Sequence, residues 1–333
     1  MHNRCGVIII GGGNHHNILG VIRALGERKV DFELITYGST TKHYVSSSKY
    51  VAKHIAFAEP YDIINYLLER NCALNLNRKD IIISCADIIT EILNLNYSLL
   101  SDKYVVPGFR NPELVRTLMD KSTMIRVAKN CGIDSPTVWS LPADIATVKY
   151  PCITKSNLSS HGGKESVVIL ESREQLDEFI EKQSSDVFAQ EYLHKKEEVQ
   201  FIGLSLNGGD EVIIPGMTRI IRSQPNTNTG FLEYGTIDSF YNDIVNKSKL
   251  FIESCGYSGL FSIEFIRDYN DNVFFLEVNF RNDGNAWCVT KAGINLPIIW
   301  VKACCGEYYQ DEIKEPKHIL MMPEFQDFKL VIQ

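Results

Sequence analysis

Gly259-Leu260-Phe261-Ser262-Ile263-Glu264-Phe265, a polar turn from Asp268 to Asn272, and then Phe274-Phe275-Leu276-Glu277-Val278-Asn279-Phe280-Arg281 form the stretch on which the fold of this chain turns. Two apolar, β-rich runs around an Asp/Asn-rich turn read as a β-hairpin. Residues two apart on a strand share a face. Glu277, Asn279 and Arg281 therefore project together, and Glu264 meets them from across the hairpin. Two carboxylates and an amide oxygen make a hard donor set suited to Mg²⁺. An arginine at the end of the same row can fork onto a phosphate. On regular alternation the other face, Phe274, Leu276, Val278 and Phe280, is wholly apolar. The competing reading is a half-buried hairpin with a wetted charged face. Such a face would normally carry Lys or Thr as well, and this one does not.

The 333 residues suffice for two or three compact units, and 44% hydrophobic with 23% charged residues describes a soluble globular chain. A formal net charge of −7 argues against nucleic acid as the main partner. No apolar run reaches bilayer-spanning length, so no membrane association is expected. The N-terminus enters a strand directly, without signal-peptide design. The nine cysteines include no C-x-x-C pair, which points to free thiols and a cytoplasmic location. No His/Cys spacing suggests zinc.

Apolar runs at 7–10, 32–37, 51–57 and 81–84 alternate with helical patterns, the opening of a doubly wound parallel sheet. The first turn reads Gly11-Gly12-Gly13-Asn14-His15-His16-Asn17. A dinucleotide fingerprint needs glycine at position 16, and no acid follows the second strand, where Tyr37-Gly38-Ser39 stands. The glycines instead bring backbone close to a small substrate, with Asn14, His15 and His16 as polar contacts or as an exposed loop. Asp87 falls just past a strand end, placed either for a ligand or to cap the helix starting at Ile88. This first domain closes near residue 112.

A strand over 150–155 ends in Lys155, and the polar loop 156–166 that follows contains Gly162-Gly163. Its amides can cradle phosphate oxygens, with Lys155 or Lys164 supplying charge, or it is an ordinary hairpin loop. It is not a Walker A loop, because the G-x-x-x-x-G-K spacing is absent. Arg219 and Arg222 lie further on, in another strand. Three apart on a regular strand they point to opposite faces, so one at most binds a substrate carboxylate, and either can be a surface charge.

In this order the pieces resemble the ATP-grasp superfamily, particularly its carboxylate–amine ligases. The similarity is greatest to the D-aspartate-ligase-like group and to a single synthetase unit of carbamoyl-phosphate synthase. It covers nearly the whole chain and is strongest in 111–139, 150–155, 190–198 and 259–306. Glu277-Val278-Asn279-Phe280-Arg281 resembles the superfamily's E-x-N-x-R, and Lys291-Ala292-Gly293 with Leu296-Pro297 resembles the segment after it. The resemblance implies an α/β fold, α+β in its C-terminal part. A doubly wound parallel-sheet domain (1–112) would precede a small lid subdomain (113–186) and a large subdomain with the metal site (187–333).

By position, Lys121 and Lys155 would contact nucleotide phosphates, and the loop from Ser159 to Lys164 would close over them. That loop departs from G-x-G-G-x-G: Gly162 and Gly163 remain, and His161 becomes a candidate contact. Gln190, Glu191, Tyr192 and Leu193 would form the hinge that reads adenine, Leu276 joins the nucleotide set, and Glu198 would take the ribose hydroxyls. Glu264, Glu277 and Asn279 would hold Mg²⁺, with Mn²⁺ as a substitute. Arg281 and Lys155 would be catalytic. Asn14, His15, Asp87, Arg219, Arg222 and Asn285 are the substrate candidates.

The implied activity is ADP-forming ligation: ATP phosphorylates a small carboxylic acid, and an amine displaces the phosphate to form an amide. Amino acids are among the candidate substrates, and a homodimer is compatible with the superfamily. The alternatives are a bicarbonate-phosphorylating subunit of the carbamoyl-phosphate-synthase type and a non-catalytic ATP sensor.

Overall fold

The computed structural model describes residues 5–13, 15–39, 43–70, 79–141, 143–156, 168–182, 187–223 and 230–322. Strand β1 (Val7–Gly12) leads through α1 (His16–Gly26) to β2 (Glu33–Tyr37) and β3 (Lys53–Phe57). Helix α2 (Asp62–Glu69) precedes β4 (Asp80–Ser84), and α3 (Asp87–Leu95) with the short α4 (Tyr97–Leu100) precedes β5 (Tyr104–Val105). These strands pair in parallel in the order β3-β2-β1-β4-β5.

A parallel sheet is covered on both faces, so its central strands are unbroken apolar runs. Val7, Ile8, Ile9 and Ile10 are buried, as are Ile81, Ile82 and Ile83. Their two-residue period divides them between two cores. Val7, Ile9, Ile81 and Ile83 pack with Ile18, Val21 and Ile22 of α1. Ile8, Ile10 and Ile82 pack with Ile63 and Leu67 of α2 and Ile89 and Leu93 of α3. The strand order reverses between β1 and β4, which opens a crevice beyond their carboxyl ends.

Strand β6 (Gly108–Phe109) and helices α5 (Val115–Leu118) and α6 (Lys121–Asn130) lead to a second sheet. Its strands are β7 (Val138–Ser140), β8 (Cys152–Ser156), β9 (Val168–Leu170) and, after α7 (Arg173–Lys182), β10 (Val187–Glu191). They pair antiparallel in the order β7-β10-β8-β9 around Trp139, Cys152, Leu170, Leu176 and Ala189.

The third sheet contains β11 (Lys195–Leu206), β12 (Glu211–Ile213), β13 (Met217–Ser223) and β14 (Gly230–Gly235). Helix α8 (Asn242–Cys255) then ends on Gly256 in the left-handed conformation, φ 63°, where a side chain would be strained. Strands β15 (Tyr257–Asp268) and β16 (Val273–Asn279) form the expected hairpin; α9 (Trp287–Lys291), α10 (Leu296–Cys304) and β17 (Ile319–Met321) follow. The order is β16-β15-β11-β13-β14-β17, with β12 on β11 and β6 on β15.

Ile9 and Leu34 of the first sheet share one core with Ile202, Leu204 and Leu260 of the third and with Trp300 of α10. The Trp300 indole N–H donates to the Ile82 carbonyl at 3.1 Å. Burying a side chain of this size contributes roughly 2 kcal/mol, so the seam positions the hairpin firmly against the carboxyl ends of β1 and β4. We retain the division into 1–112, 113–186 and 187–333 as a proposal, with β10 counted in the second sheet, where it is hydrogen-bonded between β7 and β8.

Candidate active site

Strand register places Glu264 directly opposite Glu277 and Ser262 opposite Asn279. On the other side of β15, Gln200 of β11 stands opposite Glu264, and Thr218 of β13 opposite Gln200. One polar row thus crosses four strands on one face. The Gln200 amide donates to Glu264 Oε1 at 3.4 Å, and the Asn279 amide donates to the same oxygen at 3.2 Å. Asn285 is buried with its Nδ2 on Gln200 Oε1 at 3.1 Å, and its Oδ1 has no partner among the described residues.

Regular alternation fails within β16. Glu264 faces Glu277, but Phe265 faces Phe275, so Leu276 is an extra residue in a β-bulge. Phe275, Val278 and Phe280 enter the core, whereas Leu276 and Glu277 are adjacent and both half-buried. The expected apolar face of Phe274, Leu276, Val278 and Phe280 is therefore corrected. The bulge shifts the phase and gives Leu276 to the same side as Glu277.

The row is electrostatically strained. Burial holds the Glu264 carboxyl well above the usual carboxylate range, and the charges of Glu277, Asp283 and Glu198 push it further, with Arg281 offsetting only part. Among the described residues no cluster of three His, Cys, Asp or Glu side chains is poised for a metal. Two carboxylates crowded against their own repulsion, with amide side chains beside them and without thiol or imidazole, fit a small hard cation such as Mg²⁺.

Arg281 closes the row. Its Nη2 donates to Asn279 Oδ1 at 3.0 Å, its Nη1 to Asp283 Oδ2 at 3.1 Å and to the Asn282 carbonyl at 3.2 Å, and its Nε to Asp87 Oδ2 at 3.3 Å. Burial alone would lower its pKa, but Asp87, Asp283, Glu277 and Glu264 outweigh it and fix the positive charge. Asp87 is the first residue of α3, whose N-cap is Ala86 with no side-chain cap bond. Of the two roles open to Asp87, helix capping is thus not the one taken.

His15 caps α1 by accepting from the Asn17 N–H at 3.2 Å. The Asn17 amide donates to the Cys85 carbonyl at 2.9 Å and to the Asn282 carbonyl at 2.6 Å, and the Asn282 N–H donates to the Ser84 carbonyl at 2.9 Å. These bonds tie the strand ends of the first sheet to the loop after β16. They enclose a cavity of about 280 Å³ lined by Gly12, His15, Tyr37, Cys85, Asp87 and Arg281, among others. His15, Asp87 and Arg281, separate in sequence, share it.

Arg219 and Arg222 belong elsewhere. Arg219 stands opposite Val199, one position out of phase with the Thr218–Gln200 pair, so it projects from the other face of the sheet. There it binds Glu197 at 2.6 Å and Glu233 at 2.8 Å. A second bulge at Ile221 places Arg219 opposite Glu233 and Arg222 opposite Phe231. Those partners are two apart, so the two arginines share a face, contrary to the regular-strand expectation. Neither reaches the carboxylate row.

Among the nucleotide candidates, Lys121 opens α6 next to the cap Asp120. Gln190 is buried in β10, its Oε1 without a partner among the described residues. Glu191 exchanges backbone and side-chain bonds with Thr137. Tyr192 and Leu193 connect the second sheet to the third, and Glu198 pairs with Lys195 at 2.7 Å on the face of Gln200. The Lys155 backbone lies in β8. Asn14, His161, Gly162, Gly163 and the loop to Lys164 lie outside the described residues, as does the Lys155 side chain. Sequence reasoning missed Gln200, Asn17, Asn282 and Asp283. The last two adjoin Arg281, and proximity to that motif was the available signal.

No protein-family model matches the chain. The N5-carboxyaminoimidazole ribonucleotide synthase of Staphylococcus aureus (strain COL) is 24% identical over 285 residues, 81% of this chain and 68% of that protein. The S. aureus N5-carboxyaminoimidazole synthetase complexed with ADP superposes with a TM-score of 0.73 at 18% identity, covering 95% of this chain and 81% of that one. The L-amino acid ligase from Bacillus licheniformis gives 0.72 at 14%, covering 95% and 79%. The biotin carboxylase domain of Hydrogenobacter thermophilus 2-oxoglutarate carboxylase, complexed with MgADP and bicarbonate, gives 0.69 at 17%, covering 96% and 74%. The chain shares the fold of these synthetases and ligases, which agrees with the fold that the sequence resemblance implied. Among the described residues no helix is long and apolar enough to cross a membrane.

Proposed function

We propose that this chain is an ATP-dependent, ADP-forming ligase that activates a small carboxylic acid and couples it to an amine. One observation carries the reading. The Glu264–Glu277–Asn279 row continues through Arg281 to Asp87 and a cavity at the strand ends. An anion-neutralising centre and a small-molecule cavity thus share one guanidinium.

Mg²⁺, held by Glu264, Glu277 and Asn279, would neutralise the phosphates. The substrate carboxylate attacks the γ-phosphorus, the bond to the β-bridging oxygen breaks, and ADP leaves with that electron pair. Positioning and charge stabilisation dominate such a step, and Arg281 is placed to hold the transferred phosphoryl group. The amine then attacks the acyl carbon, phosphate leaves with the C–O electron pair, and the nitrogen loses a proton as the amide forms. Lys121 and Lys155 serve the phosphates, Glu198 the ribose, and Gln190 to Leu193 with Leu276 the adenine. The bulge supports Leu276 by turning it to the side of Glu277. The ADP and MgADP bound in two of the solved relatives support the same assignment. The proposed location is the cytoplasm, a reading supported by the free thiols of Cys85, Cys152 and Cys288.

Bicarbonate as the acid is the second reading, favoured by the likeness to the bicarbonate-bound biotin carboxylase domain. A phosphate-release screen of small acids and amines, singly and in pairs, with Mg·ATP separates the two. Release that depends on an organic acid supports the first, and release with bicarbonate alone supports the second.

A further inference from the structure

We propose that the strand-end cavity takes the acceptor as a small, unphosphorylated primary amine whose ammonium is held by Asp87; this rests on the ligase reading above. Asp87 is the one carboxylate among the described residues that line the cavity. Its Oδ2 is engaged by Arg281 at 3.3 Å, and its Oδ1 has no partner among the described residues. A carboxylate with one oxygen held and one oxygen open suits a cation entering from the cavity. The guanidinium holding it also bonds Asn279 in the metal row. The amine therefore waits beside the group that would steady the acyl phosphate.

The same lining argues against a phosphorylated acceptor. A phosphate monoester carries about −1.5 to −2 charges at neutral pH and calls for several charge-assisted donors. Among the described residues Arg281 is the one Lys or Arg side chain in the lining, and it already serves Asp87 and Asp283. The rest of the lining is Gly12, Cys85, Ala86 and Ile88 with the polar side chains of His15, Asn17 and Tyr37. Burial pushes the phenol of Tyr37 upward, reinforced by the neighbouring charge of Asp87, so it stays neutral and offers no charge to a phosphate. At about 280 Å³ the space is also at the lower end for a ligand site.

In the proposed step the ammonium passes one proton to Asp87, which returns it to solvent. The free amine attacks the acyl carbon, and its second proton leaves with phosphate. The products are amide, hydrogen phosphate and one proton.

The test uses the full chain with Mg·ATP. Hydroxylamine trapping first identifies the acid, and ADP release is then measured with primary amines of increasing size and, separately, with 5-aminoimidazole ribonucleotide. Turnover with a primary amine and none with the ribonucleotide is expected. Asp87→Asn should raise the amine KM at least about tenfold, the scale of one charge-assisted bond, and more than it raises the KM of the acid. Asp87→Glu should restore part of the loss, with thermal melting confirming that both variants fold. Turnover with the ribonucleotide, or equal KM changes for acid and amine, overturns the inference. Hydroxamate without amine-dependent turnover overturns it while sparing the ligase reading; no hydroxamate with any acid overturns both.

Discussion

Arg281 and Asp87 stand 194 residues apart in the chain and meet with Nε 3.3 Å from Oδ2. The first closes the polar row of the large antiparallel sheet, and the second opens α3 just past the carboxyl end of β4 in the parallel sheet. Backbone bonds maintain this meeting: Asn282 N–H to Ser84 O at 2.9 Å, and the Thr90 hydroxyl to Phe280 O at 2.8 Å. The proposed phosphate clamp is thereby referenced to the first domain, whose strand ends line the cavity.

Arg281→Lys keeps the charge but loses the fork that reaches Asn279, Asp283 and Asp87 together. ADP formation should fall about 100-fold or more in kcat, the scale of removing one transition-state donor. The KM for ATP should change much less, because adenine and ribose contacts are untouched. Steady-state kinetics at saturating acid checks this, and a loss confined to the ATP KM would contradict it.

Glu277→Gln should abolish ADP release and stabilise the metal-free protein. Glu264 has a folded pKa above its unfolded value, and Glu277 is the largest neighbouring charge responsible. Between those two values the native state binds more protons than the unfolded state, so stability falls as pH rises through that window. Removing the Glu277 charge lessens the fall. Thermal melts in EDTA across that window should show the variant gaining on the wild type at the high-pH end.

Much of this was legible beforehand because strand chemistry repeats every two residues. The Glu264, Glu277 and Asn279 row follows from alternation alone, as does the parallel opening from the runs Val7 to Ile10 and Ile81 to Ile83. The bulges at Leu276 and Ile221 were not legible, because each depends on which partner residue is skipped across the ladder. One error hid Leu276 on the wrong face, and the other separated two arginines that share one. Gln200 was missed because its importance comes from standing opposite Glu264, a pairing between strands far apart in sequence.

Arg219→Gln should leave the KM of every substrate within about twofold, because the side chain faces away from the row. It should cost about 1–3 kcal/mol of stability by leaving Glu197 and Glu233 without a shared partner. Chemical denaturation and acid-dependence of ADP release check the two halves. A large rise in a substrate KM without destabilisation would return Arg219 to the site.

Leu276→Ala should raise the KM for ATP by about tenfold, the effect of removing a few buried methylene contacts. The fold should melt nearly unchanged, since Leu276 lies outside the core that holds Phe275 and Val278. An unchanged ATP KM would remove Leu276 from the nucleotide set.

The central claim is attack of a carboxylate at the γ-phosphorus, and product analysis tests it most directly. With Mg·ATP, the identified acid and hydroxylamine, phosphorus NMR and a hydroxamate assay should show ADP, phosphate and hydroxamate appearing in equal amounts. AMP and pyrophosphate in place of ADP and phosphate would contradict the account.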